Sequence, residues 1–154
     1  MSGALFIVLV CGGRDYSDSM FVFETLDALH RARPIYKVVQ GGARGADALA
    51  YDWCRSRRVM CWHCPADWNN ITRPGAVVRT RRDGKKYDAA AGGVRNQRML
   101  DEGKPSLVLA FPGGKGTADM VSRARRAGVK VIETHPANPE PASGSERLGS
   151  DATG

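Results

Sequence analysis

The sequence is poor in the features that would place it outside a reducing, aqueous compartment. It has only 4 cysteines in 154 residues (Cys11, Cys54, Cys61, Cys64). That is too few for a disulfide scaffold at this length, so reduced thiols are expected. Its longest apolar run, Ala4 to Val10, is far short of the roughly 20 residues that span a bilayer. It also lacks the basic flank and small-residue cleavage site of a secretory signal. A cytoplasmic protein with no membrane partner is therefore expected.

Metal-ligand patterns are also scarce. Cys61-Trp62-His63-Cys64 has a spacing that could serve redox chemistry or half of a zinc site. Only Cys54 and His63 could extend that set, so the segment reads instead as a strand end with small buried groups. No metal and no cofactor are expected. Two phosphate-binding signatures are missing as well. Lys115-Gly116-Thr117 is not part of a Gly-x-x-x-x-Gly-Lys-Ser/Thr loop, and the first glycine-rich loop lacks Gly-x-Gly-x-x-Gly.

What remains is ordinary for one globular domain: 42% hydrophobic and 25% charged residues. The charge is uneven, however. Residues 70–100 hold eight basic residues against two acids, nearly all of the net +7. Such a cluster points to an anionic partner or to a solvated loop. From Pro136 onward Pro, Ala, Ser, Gly and Glu dominate, and a disordered tail is expected over 136–154.

Short β-branched runs alternate with helical patterns between the two ends. Strands are expected over Leu5–Val10, Lys37–Gln40, Val59–His63, Ser106–Phe111 and Lys130–Thr134. Helices are expected from Asp18, an N-cap residue, to Pro34, then over the Ala46–Cys54 stripe, from about Gly93 to Glu102, and over Thr117–Ala127. Val77–Asp88 reads as a hairpin turning at Asp83-Gly84. Strand–helix alternation predicts an α/β, Rossmann-like fold, a mostly parallel sheet with helices on both faces. Right-handed crossovers put every strand-to-helix loop on one edge of such a sheet, where ligands bind.

Three of those loops are glycine-rich. The first supplies Gly12, Gly13 and Arg14, the second Gly42, Arg44, Gly45 and Asp47, and the third Gly113, Gly114, Lys115, Gly116 and Thr117. Glycine lets the backbone approach a ligand, and the following helix N-terminus favours phosphate. These residues are the candidate ligand site. Thr117, Asp47 and Asp119 could instead cap their own helices.

Pro112-Gly113-Gly114-Lys115-Gly116-Thr117 resembles the Pro-Gly-Gly-x-Gly-Thr motif of the SLOG superfamily. That group includes the "lonely guy" nucleoside-monophosphate phosphoribohydrolases and the DNA-processing protein A family. Gly42-Ala43-Arg44-Gly45-Ala46-Asp47 resembles the Ala-Arg-Gly-Ile-Asp segment of the latter. Cys11-Gly12-Gly13-Arg14-Asp15-Tyr16, Pro65-Ala66-Asp67-Trp68 and Arg95-Asn96-Gln97-Arg98-Met99-Leu100 resemble small stand-alone bacterial and phage SLOG proteins. The likeness runs from about 5 to 134, with an insertion at about 71–89, within a domain expected over 1–135.

The resemblance implies a fold that binds nucleotides or their derivatives, in a homo-oligomer. In the phosphoribohydrolases an Arg of an Arg-x-x-x-Met helix and a Glu three residues after the motif Thr attend the glycosidic bond. Arg95 and Met99 match the first element. Met120 stands at the Glu position, which leaves Asp119 as the neighbouring carboxylate and makes Arg95 and Asp119 the candidate catalytic pair. Three functions follow, in descending order: nucleotide binding or sensing, hydrolysis of a nucleotide N-glycosidic bond, and nucleic-acid binding through Arg79, Arg81, Arg82, Lys85 and Lys86.

Overall fold

A computed structural model describes residues 4–135; the tail expected from residue 136 lies outside the described residues. In chain order the elements are β1 (Ile7–Cys11), α1 (Ser19–Ala32), β2 (Lys37–Gln40), α2 (Ala46–Arg57), β3 (Met60–His63), β4 (Val78–Thr80), β5 (Lys86–Asp88), α3 (Ala91–Gly103), β6 (Leu107–Ala110), α4 (Lys115–Arg126) and β7 (Lys130–Glu133). Five strands form one sheet in the order β3-β2-β1-β6-β7. Every pairing in it is parallel.

The apolar run of β1 is buried on both faces, as a central parallel strand requires. Val8 and Val10 pack with Val22, Leu26 and Trp53 under α1 and α2. Leu9 and Cys11 pack with Met99, Leu100, Met120 and Val121 under α3 and α4. α1 starts where expected, because the Asp18 carboxylate accepts the Phe21 N–H at 3.0 Å. The chain leaves β1 toward β2 on one side and later returns to β6 on the other. Strand order therefore reverses between β1 and β6, and a crevice opens outside their carboxyl ends.

α4 begins two residues earlier than the apolar pattern predicts. Lys115 and Gly116 thus belong to its first turn rather than to the preceding loop. The low helix propensity of Gly116 hides this start, yet a first turn needs no inward side chain to form. β1 likewise extends to include Cys11.

The insertion is an antiparallel hairpin, β4 with β5, and Gly84 takes φ +86° at its turn. Asp88 clamps its base. One carboxylate oxygen accepts the N–H groups of Val77 and Ala90, both at 2.9 Å. The other accepts from Arg73 at 2.6 Å. The Asp88 N–H in turn donates to the Trp68 carbonyl at 2.7 Å, which joins the hairpin to the chain leaving β3.

Candidate functional site

The three glycine-rich loops meet at the crevice, and Gly13 is their junction. Its N–H donates to the Pro112 carbonyl at 2.9 Å, and its carbonyl accepts the Ala46 N–H at 3.1 Å. A methyl group at Gly12 would sit 2.6 Å from the Ala46 Cβ. Methyls at Gly45 and Gly113 would collide with the Gly13 carbonyl and with the Thr117 hydroxyl. These glycines let the loops touch one another. Gly114 and Gly116 differ, since a Cβ on either meets nothing within 4 Å.

The open space belongs to a cleft of about 1190 Å³ at the carboxyl edge. Gly12, Gly13 and Arg14 border it from the first loop, Asp47 from α2 and Arg95 from α3. Gly114 with Lys115, Gly116, Thr117 and Asp119 of α4 completes the opposite side. The residues expected to line one pocket are divided between this cleft and a neighbour continuous with it. Gly42 and Arg44 line an adjoining cavity of about 350 Å³, which shares Arg14, Ala43, Trp68 and Arg95 with the first. Gly45 and Gly113 line neither and serve as loop-to-loop support.

Polar groups set the second loop from three sides. Asp47 does not cap its own helix; its Oδ2 accepts the N–H groups of Gly41 at 3.1 Å and Ala43 at 3.2 Å. Burial pushes its carboxyl above the usual 3.8, against those two donors and the Arg95 charge. Arg95 donates from Nη1 to the carbonyls of Gly41 at 2.7 Å and Cys64 at 3.3 Å, and burial lowers its own pKa. Sequence reasoning missed Gln40, which is buried. Its Oε1 accepts the Gly42 N–H at 2.5 Å, and its Nε2 lies 2.5 Å from His63 Nδ1. The available signal was an amide at the carboxyl end of a short strand, directly after Val38 and Val39.

The α4 side carries a second network. Asp119 Oδ2 accepts from Asn96 Nδ2 at 3.0 Å and from Arg123 Nε at 2.8 Å. Burial favours its neutral form, but these two donors prevail and hold the carboxyl below its usual range. Asn96 also donates to the Gly116 carbonyl at 3.2 Å, tying α3 to the first turn of α4. Met120, at the position where the resemblance implies a Glu, is fully buried in the core. Arg95 and Asp119 thus share the cleft, but Arg95 is bonded to loop carbonyls and Asp119 to its helical neighbours.

Arg79, Arg81, Arg82, Lys85 and Lys86 are exposed on the hairpin. Among the described residues none of the five forms an ion pair. Arg81 lies over the Tyr87 ring, 4.8 Å from its centroid. Arg44 pairs with Asp15 at 3.2 Å in full solvent, a contact worth little. Cys61 and Cys64 face opposite sides of the sheet. Cys61 packs near Cys54 under α2, whereas Cys64 packs with Met99 and Leu100 under α3. Among the described residues no three His, Cys, Asp or Glu side chains cluster as a metal site would need.

Residues 6–70 match the YspA, cpYpsA-related SLOG family, YAcAr. The chain is also 35% identical, over 128 residues, to the Gene 61 protein of Mycobacterium phage D29; the match spans 81% of this chain and 93% of that one. The chain belongs to this SLOG family. Among solved structures, this SLOG chain is similar to MurG of Acinetobacter baumannii, at 12% identity and a TM-score of 0.47. It is also similar to the DNA processing protein A, DprA, of Streptococcus pneumoniae, at 17% identity and a TM-score of 0.42. Each match covers 83% of this chain, but only 34% of the MurG chain and 58% of the DprA chain. No helix among the described residues of this SLOG chain is long and apolar enough to cross a membrane.

Proposed function

We propose that this protein binds a nucleotide or a nucleotide-derived phosphate in the cleft between the ends of β1 and β6, and that it binds without appreciable turnover. The observation that carries the reading is the pair Gly114 and Gly116. Both sit at the N-terminus of α4, both border the cleft, and neither is a glycine because a protein neighbour demands it. Unfilled space in front of free helical N–H groups is what a phosphate needs, and the positive end of the helix dipole and Lys115 add favourable charge. The position at the strand-order reversal and the family membership support the same reading.

Binding is favoured over hydrolysis by the state of the two candidate catalytic residues. A transition state with positive charge building on the ribose calls for a carboxylate free to face it. The Asp119 carboxylate already has two donors, one of them the charged Arg123. A thermal-shift panel of mononucleotides, dinucleotides, cyclic nucleotides and nucleotide sugars tests the proposal, because a ligand that binds only the folded state raises the midpoint. A saturable rise with at least one nucleotide and no free base released from it is the expected result. No shift with any of them defeats the reading.

The five unpaired cations of the hairpin favour nucleic acid as a second partner class, with affinity falling steeply as salt rises. Changing all five to Gln should flatten that slope. Absence of binding to DNA and RNA at low salt leaves the hairpin as a solvated loop.

A further inference from the structure

The cleft has an aromatic wall that the phosphate site does not use. Trp68 borders both the large cavity and the smaller one. Its carbonyl is held by the Asp88 N–H at 2.7 Å, and its ring edge rests against α3, where a Cβ on Gly92 would lie 3.0 Å from Cη2. The residues beside it on the same wall are small: Ala89, Ala90, Gly92 and Gly93. Val94, nearly half exposed at 47%, extends the apolar surface. An indole fixed at its backbone and edge and left partly open in a cavity is an unusual use of the most costly side chain to expose.

Arg14 completes the arrangement. Its guanidinium stands over the Trp68 ring, 5.6 Å from the centroid. Among the described residues this stack is its one polar or aromatic partner, since no hydrogen bond or ion pair holds it. Arg14 borders both cavities as well. An exposed guanidinium over an indole can yield its place to a second flat π system, or cover it from the other side, while its donors turn to an anion.

We propose that Trp68, with Arg14, is the platform for a nucleobase, so that the ligand of the cleft is a nucleoside phosphate rather than a bare sugar phosphate. The inference rests on the phosphate-binding reading above and adds the base to it. The base stacks on the indole at the wall formed by the insertion and the first turn of α3. The phosphate lies at Gly114, Lys115 and Gly116 on the facing α4 side. The insertion thereby acquires a function, because Asp88 fixes both the hairpin and the Trp68 backbone.

Calorimetry with AMP, GMP, CMP, UMP and ribose 5-phosphate tests this, together with tryptophan emission. The tightest of the four nucleotides is expected to bind about tenfold or more better than ribose 5-phosphate and to quench emission, as base–aromatic stacking provides. Trp68→Ala should reduce that nucleotide to the affinity of ribose 5-phosphate and leave the sugar phosphate itself unchanged. Trp68→Phe should retain most of the affinity and lose the quench, which also covers the case in which the alanine variant folds poorly. Equal binding of ribose 5-phosphate and the nucleotides, or a Trp68→Ala loss shared equally by both, overturns the platform while leaving the phosphate site standing. Binding of none of the five ligands overturns the platform, and the thermal-shift panel then decides the phosphate site by itself.

Discussion

Arg95 donates from Nη1 to the carbonyl of Gly41 at 2.7 Å, so a side chain of α3 holds the loop that follows β2 on the neighbouring part of the sheet. Asp47 grips the same loop from α2 through the Gly41 N–H. The guanidinium therefore fixes the shape of the site before any ligand arrives, and burial makes its charge costly to leave unpaired.

Arg95→Ala is expected to lower folding stability by about 1.5–3 kcal/mol, the range for hydrogen bonds made by charged groups, and to weaken nucleotide binding. Asp119→Asn should weaken binding less, because Asp119 faces Asn96 and Arg123 first. Denaturant unfolding and calorimetry on both variants check this. A larger binding loss from Asp119→Asn, with base release abolished, would give Asp119 the catalytic part.

Gly116→Ala and Gly12→Ala should move in opposite directions. Gly116 lies in the first turn of α4 with open space at its Cβ position. Alanine there is expected to stabilise the fold by about 0.5–1 kcal/mol while crowding the phosphate and weakening it severalfold. At Gly12 the new methyl would press on Ala46 and on Phe111, whose Cβ lies 3.0 Å away, and should cost about 1–3 kcal/mol. Melting curves and binding isotherms separate the two cases. A Gly116→Ala protein that binds as well as the parent would remove that residue from the phosphate site.

Asp47 makes stability depend on pH in the less common direction for a carboxylate. Its folded-state pKa is raised above 3.8, chiefly by burial. Its contribution is therefore present in full below the ordinary value and is lost as pH rises through the raised one. Asp47→Asn keeps one oxygen able to accept from both Gly41 and Ala43, and carries no charge. The variant should match the parent near pH 4 and equal or exceed its stability near pH 7. Urea unfolding at both pH values decides it, and a parent that outperforms the variant only at the higher pH would reverse the sign.

Cys61 should be the reactive thiol. A hydrogen bond from Cys54 lowers its pKa against the effect of burial, and the Gln40 amide at 3.6 Å helps, bringing it to about 7. Burial pushes Cys11 up to about 12 and raises Cys64, while Cys54 is raised by its bond to Cys61 and by burial. Iodoacetamide followed by peptide mass mapping should find Cys61 alkylated first, at a rate that climbs through about pH 7 and then levels off. First labelling at Cys11, or a rate still climbing well into the alkaline range, would contradict this.

The sequence by itself determined the layer architecture, the order of strands and helices along the chain and the edge on which the three glycine-rich loops lie. Those follow from local periodicity and from the handedness of parallel crossovers, which depend on residue spacing alone. It also carried the motifs of the SLOG family. Only the tertiary structure decided the strand order, and with it which ends face the crevice. It divided the glycines into those that let Gly13 meet its neighbours and the two that leave room at α4. It bonded Arg95 to the Gly41 carbonyl, gave Asp119 the Asn96 amide, set Gln40 against His63, and stood Trp68 beside Arg14. Each of these is a contact between residues far apart in sequence, and such partnerships depend on which surfaces the packed sheet and helices bring together, which residue spacing does not encode.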